Sequence, residues 1–188
     1  MSATANLDPQ LVMKRDNLAE LPALQLPEGY TLRTCRQGDG IHWAQILNES
    51  FGGERTVDDF LATMVNQAAY RPDRLFFIDD PQGVPCATAG AYCFEPWGAQ
   101  TGYLHYVGVR PAHQGKKLGY TVSLAVLHKF REEGCYTNAI LQTDDFRLPA
   151  IKTYLRLGFH PVIIHENQPE RWQQVLGELG MSAEFTSL

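Results

Sequence analysis

The 188-residue chain is 44% apolar and 20% charged, enough for a core that needs no disulfide or metal staple. Sixteen basic residues against twenty-one acidic ones give a formal charge of −5, which argues against general nucleic-acid binding, since that relies on many Lys and Arg contacts to phosphate. Cys35, Cys86, Cys93 and Cys135 form no C-x-x-C pair and keep no zinc-like spacing from histidine, so free thiols in a reducing compartment are expected.

Residues 1–28 carry Leu11, Val12, Met13 and a run of leucines, but Pro22 and Pro27 make them an arm rather than a core element. They show no apolar h-region, and no stretch reaches the length of a membrane span, so a cytoplasmic protein with no membrane partner is expected. Residues 29–188 read as one domain. Residues 30–36 alternate like a strand, and Asp39 stands where it can cap a helix through Trp43, Ile46 and Leu47. Gly52-Gly53 breaks that helix, and a second follows over Val57, Phe60, Leu61, Met64 and Val65. Strands at 75–78 and 86–94 flank a polar turn and predict an antiparallel hairpin. Residues 101–109 are apolar on both faces, as in a central strand, and Pro111 stops it.

A helix is predicted from about Gly115 to Glu133, then a strand at 139–141 and a helix at 150–157 with Pro149 in its first turn and Gly158 at its end. Residues 159–165 are a last strand, where Pro161 marks an edge or bulge, and 169–179 a terminal helix. Strand runs followed by βαβ units predict an α/β (α+β) fold, a mixed sheet with helices on its faces.

The segment from Val107, Gly108 and Val109 through His113, Gln114, Gly115, Lys116, Lys117, Leu118, Gly119 and Tyr120 is the most informative. A central strand ends, and a glycine-containing loop opens a long helix. Glycine lets the backbone approach a ligand, and the first helical N–H groups lack internal partners and sit at the positive end of the dipole. Together these suit a pyrophosphate, with Lys116 and Lys117 adding charge, although an ordinary loop with a solvated lysine pair has the same look. It is neither a Walker loop nor a dinucleotide G-x-G-x-x-G.

Here the chain resembles the GCN5-related N-acetyltransferase (GNAT) family, whose loop has the form Gln/Arg-x-x-Gly-x-Gly/Ala after a V-x-V-x-P strand. Val107-Gly108-Val109-Arg110-Pro111 matches the strand, and Gln114 and Gly119 match the loop ends, while Lys117 replaces a usual glycine. A second segment, Ala150 through Tyr154 to Gly158-Phe159, is similar to the family's A-x-x-x-Y-x-x-x-G-F helix end. The resemblance implies a GNAT-like, mostly antiparallel central sheet with helices on both faces. It implies that the N–H groups of 115–120 hold the pyrophosphate of acetyl-CoA, a cosubstrate, and that Val107 and Val109 pair with its pantetheine arm. It also implies that Tyr154 protonates the departing thiolate; a core aromatic is the plainer alternative. Arg147 stands where the family often has a cofactor-contacting asparagine, and reads either as a phosphate ligand or as a surface partner of Asp144 or Asp145.

The usual carboxylate bases are missing: Gln142 occupies one such position, and 101–109 holds none. His105 is the base candidate, placed by a regular strand on the face of Val107 and Val109, with a satisfied core histidine as the alternative. Asp144 is a weaker candidate, and His113 faces phosphate or solvent. No metal site is expected. The expected function is acetyl transfer from acetyl-CoA to an amine, small molecule or peptide, without nucleic acid and with a homodimer left open. The competing reading is a non-catalytic acyl-CoA-binding module of the same fold.

Overall fold

The computed structural model describes residues 9–181 and the backbone of Thr186 and Ser187. In chain order the elements are β1 (Leu11–Arg15), β2 (Thr31–Thr34), α1 (Gly40–Phe51) and α2 (Val57–Phe60), the last continued by a wider π turn at Leu61–Val65. There follow β3 (Leu75–Asp79), β4 (Pro85–Tyr92), β5 (Thr101–Val109) and α3 (Leu118–Glu133). The chain closes with β6 (Asn138–Thr143), α4 (Leu148–Arg156), β7 (His160–Ile163), α5 (Gln168–Glu178) and β8 (Thr186–Ser187). Two compact units result: Arg15–Ile140, and Met1–Lys14 with Leu141–Leu188.

In the larger unit the strands run β2-β3-β4-β5-β6. The first three pairings are antiparallel, and β6 joins β5 in parallel, which requires the long crossover that α3 supplies. Every residue of β4 is buried. Helices cover both faces. A side chain at Gly108 would press on Ile46, Leu47 and Ser50 of α1, and one at Gly102 on Phe130 of α3.

β5 is not regular. Thr88 faces Gly108, but Gly90 faces His105, so Ala89 alone opposes Tyr106 and Val107. This is a β-bulge, and Tyr106 takes the left-handed backbone, φ +51°. One extra residue reverses the alternation of side chains beyond it. His105 therefore shares the α1 face with Gly108, while Val109 reaches toward Gly119 at the start of α3. The expectation that His105 lies on the face of Val107 and Val109 is corrected for this reason.

Asp39 sits at the N-cap of α1 without capping it. Its carboxylate instead takes the Arg33 guanidinium at 2.7 and 3.0 Å and the Arg36 N–H at 2.6 Å. Thr56 and Asp59 form the capping box that starts α2.

In the smaller unit β1 pairs antiparallel with β7, and Leu11, Val12 and Met13 are fully buried. The arm reading of residues 1–28 does not anticipate this strand, whose partner lies far along the chain. Pro161 faces Met13, one residue before the parallel pairing of β7 with β8 begins at Val162. Gln168, wholly buried, ties the unit together: its Oε1 accepts from Ile164 N–H at 2.8 Å and its Nε2 donates to Gln10 O at 2.9 Å.

A Cβ at Gly102 would stand 2.6–2.7 Å from the ring of Phe130, itself fully buried. Gly102→Ala should cost about 1–3 kcal/mol by overpacking, read as a lower urea midpoint; an unchanged midpoint would mean that α3 yields freely from the sheet.

Candidate functional site

After β5, Arg110 is pinned: its N–H donates to Cys86 O at 2.9 Å and its guanidinium donates to both oxygens of Glu49 at 2.7 and 3.0 Å. One tight turn, Pro111–His113, leads into the loop. Gly115 (φ +77°) and Lys117 (φ +61°) are both left-handed. Two such residues cannot belong to a right-handed helix, so α3 starts at Leu118 rather than near Gly115. Gly115 does keep the backbone freedom that the sequence suggested, but Lys117 adopts it as well, at a cost of about 1 kcal/mol or more for a residue with a Cβ.

The Thr121 N–H reaches Lys117 O at 3.0 Å. The N–H groups of Leu118, Gly119 and Tyr120 are thus the first-turn donors outside the helical ladder. Leu118 anchors the turn at 1% exposure, while Gln114, Gly115, Lys116 and Lys117 are exposed. Lys116 Nζ lies 3.5 Å from Ala112 O and 6.0 Å from the centroid of the Tyr30 ring. Neither Lys116 nor Lys117 has a carboxylate partner among the described residues, whereas Arg33, Arg74, Arg110, Lys129 and Arg171 each do. In an acidic chain this leaves two cations and three backbone donors around one short loop, an arrangement that suits a diphosphate.

The pairing of β5 with β6 is registered at Thr101, Gly102 and Tyr103, so among the described residues 104–109 pair with β4 alone. Val107 and Val109 therefore lie in a stretch with no second described strand beside it, where an extended ligand could add as a strand, although the Val109 carbonyl already accepts from Ser50 Oγ at 3.0 Å.

Around the bulge, His105 is ringed by aromatic side chains. Centroids lie 3.7 Å away at Tyr106, 5.1 Å at Tyr103, 5.6 Å at Tyr92 and 5.8 Å at Phe94. Burial among them brings the imidazole pKa down to about 4. It is neutral near pH 7, as a base must be, but desolvation has also made it a feeble one. The ordinary histidine value assumed from sequence does not apply.

In the smaller unit, α4 carries Tyr154 at 7% exposure. Burial pushes its phenol pKa well above the ordinary value, with Arg147 pulling weakly the other way. Tyr154 is therefore a protonated donor throughout the neutral range. The Gly158-Phe159 pair that follows is a helix stop. Gly158 is left-handed at φ +80°, the Phe159 N–H returns to Tyr154 O at 3.0 Å, and the two rings meet edge to face, 6.2 Å apart. Arg147 donates from Nε to Asp144 at 2.7 Å and lies over the Phe146 ring. Asp144 also accepts from Gln10 at 2.9 Å; burial opposes ionisation, but these hydrogen bonds hold its carboxyl below the usual range, a poor state for a base.

Residues 41–159 match the model of the acetyltransferase (GNAT) family. The chain belongs to this family. A mycothiol acetyltransferase of Nocardia farcinica is 30% identical, over 81% of this chain and 53% of its own length. The chain thus spans about half the length of that relative. A GCN5-related N-acetyltransferase from Sphaerobacter thermophilus superposes with a TM-score of 0.67 at 23% identity, over 81% of this chain and 49% of the other. A Mycobacterium tuberculosis protein crystallised in complex with CoA superposes at 0.56 and 17% identity, over 77% of this chain and 80% of the other. These structures share the α/β fold, a mostly antiparallel sheet with helices. Among the described residues no cluster of three His, Cys, Asp or Glu could hold a metal, and no helix is long and apolar enough to cross a membrane.

Lys117→Gly should raise stability by up to about 1 kcal/mol, since it relieves a left-handed side chain, less the entropy glycine adds to the unfolded chain; a lower melting temperature would contradict the strain. His105 predicts a pH effect. With its pKa lowered from 6.5 to about 4, the folded protein binds fewer protons than the unfolded chain in that window, so His105 loses stability for the fold as pH falls through it. Urea unfolding of wild type and His105→Gln between pH 7 and 4.5 should show the wild type losing more; parallel losses would place His105 in a wetter site.

Proposed function

We propose that the chain moves an acetyl group from acetyl-CoA to an amine by direct transfer. The observation that carries this is the loop at the start of α3, which follows β5 and holds three unladdered N–H groups and two lysines without a carboxylate partner among the described residues. The CoA complex of the Mycobacterium tuberculosis neighbour and the acetyltransferase name of the Nocardia relative support the same donor.

In this reading the N–H groups of 115–120, above all Leu118, Gly119 and Tyr120, hold the pyrophosphate, with Lys116 and Lys117 adding charge. Gln114 closes the entrance of the loop. Val107, Gly108 and Val109 offer their backbone to the pantetheine arm. The amine nitrogen attacks the thioester carbonyl carbon, forming the C–N bond; the amide N–H that the bulge releases near Val107 meets the developing oxyanion. The C–S bond then breaks, and Tyr154 donates its proton to the thiolate. Burial keeps the phenol protonated but also makes it a weaker acid, so it first steadies the leaving sulfur as a hydrogen-bond donor, the proton passing as the thiol forms. His105 orients the incoming amine in neutral form, and water carries away the amine proton, because an imidazole of such low basicity holds a proton poorly. Arg147 keeps a role only if a cofactor phosphate competes with Asp144 for it.

Acetyl-CoA with a panel of amines, mycothiol-related ones included, should release free thiol in an acceptor-dependent way. Binding of acetyl-CoA without such release would make the chain a binding module instead. Tyr154→Phe should lower kcat roughly 100-fold, the low end for general acids, with CoA affinity within about twofold of wild type by calorimetry; an unchanged kcat removes Tyr154 from the chemistry.

A further inference from the structure

Tyr30 lies outside the family-matched span 41–159, yet it reaches the loop before α3. A strap delivers it there. Pro22 O accepts from His128 Nε2 at 2.8 Å, and Gln25 O accepts from Thr121 Oγ1 at 2.9 Å, so the strap runs back along α3 toward its first turn. The chain then turns, with the Tyr30 N–H donating to Pro27 O at 3.1 Å. Gly29, left-handed at φ +80°, packs its bare Cα on Pro81; a Cβ there would come within 3.0 Å.

The Tyr30 hydroxyl meets His113 Nδ1 at 3.0 Å, and the two rings stand edge to face, 5.9 Å apart. On the far side of the imidazole, Nε2 faces Asp80 Oδ2 at 3.7 Å, an ion-pair separation. Asp80 is itself fixed, its Oδ1 accepting the N–H groups of Gln82 and Val84 at 2.9 Å each. The tautomer with its proton on Nε2 lets Nδ1 accept from the phenol and turns the N–H toward the carboxylate. Both edges of His113 are thus occupied, and Lys116 lies over the Tyr30 ring. One tyrosine touches the loop at its entrance and in its middle.

The stretch between these contacts and Leu118 is exposed and contains a strained, left-handed lysine. Such a segment holds its shape only if its surroundings over-determine it. We propose that Tyr30, His113 and Asp80 form a brace that sets the donor-binding loop before the ligand arrives, with Tyr30 and His113 as positioning residues for the nucleotide end of acyl-CoA. This rests on the acyl-CoA reading of the loop. A loop set in advance spares the complex the ordering cost of binding, so the brace acts on donor affinity and not on the chemical step.

The test is a cycle of Tyr30→Phe, His113→Ala and the double variant, with steady-state kinetics, calorimetry with acetyl-CoA and thermal melts. Each single variant should raise KM for acetyl-CoA roughly fivefold, the effect of one lost hydrogen bond. The double variant should be no worse than His113→Ala, and kcat, acceptor KM and melting temperature should hold. Unchanged donor KM, additive losses, or a kcat that falls in step with affinity would overturn the brace. A wild type that fails to bind acetyl-CoA would overturn the acyl-CoA reading and the brace with it. Wild-type binding with unaltered affinity in the variants would overturn the brace alone.

Discussion

One extra residue in β5 governs the chemistry of the larger unit. Because Ala89 must oppose both Tyr106 and Val107, the strand changes phase between its two halves. The half that ends at His105 presents its aromatic and imidazole groups toward α1, and the half that ends at Val109 returns to the α3 face. The ladder to β4 is interrupted at the point where the phase changes, and among the described residues no second strand pairs with 104–109. A regular strand would have kept that ladder continuous. Tyr106 bears the strain of the arrangement, and its ring is held 5.2 Å from that of Trp43, a fully packed side chain of α1.

The same unit separates its charges by task. Several of its cations are matched locally: Arg33 to Asp39 and Asp79, Arg74 to Glu133, Arg110 to Glu49. These pairs fix strands and helices to one another. Among the described residues Lys116 and Lys117 have no such partner, and they immediately precede the unladdered N–H groups of α3. Positive charge at a helix start favours an anion, and the left-handed residue Lys117 stands directly before the first of those amides. The strap from Pro22 to Tyr30 then supplies restraint that the loop's own residues lack.

In the smaller unit a short signature does two jobs. Gly158 and Phe159 end α4 and seat a ring against Tyr154, so half of the motif is explained by helix termination alone. Tyr154 itself, buried and firmly protonated, is suited to donate and unsuited to act as a base.

The sequence by itself determined the class of fold, the order of its elements from β2 to α5 and the loop that opens α3, because each rests on local rules: hydrophobic period, proline and glycine punctuation, and helix ends. It also marked Tyr154, through the resemblance of its segment to the family's A-x-x-x-Y-x-x-x-G-F helix end. Tertiary structure decided the rest. The bulge at Tyr106 has no local signal, since tyrosine does not favour a positive φ, and it moved His105 to another face. The weak basicity of His105 comes from four rings brought together by β4, the segment just after it, and β5. β1 needed a partner some 150 residues away to become a strand rather than an arm. Tyr30 and His113 stand 83 positions apart, and nothing in either residue's neighbourhood announces the other. Contacts of that separation depend on how the chain closes on itself, which composition and period do not encode.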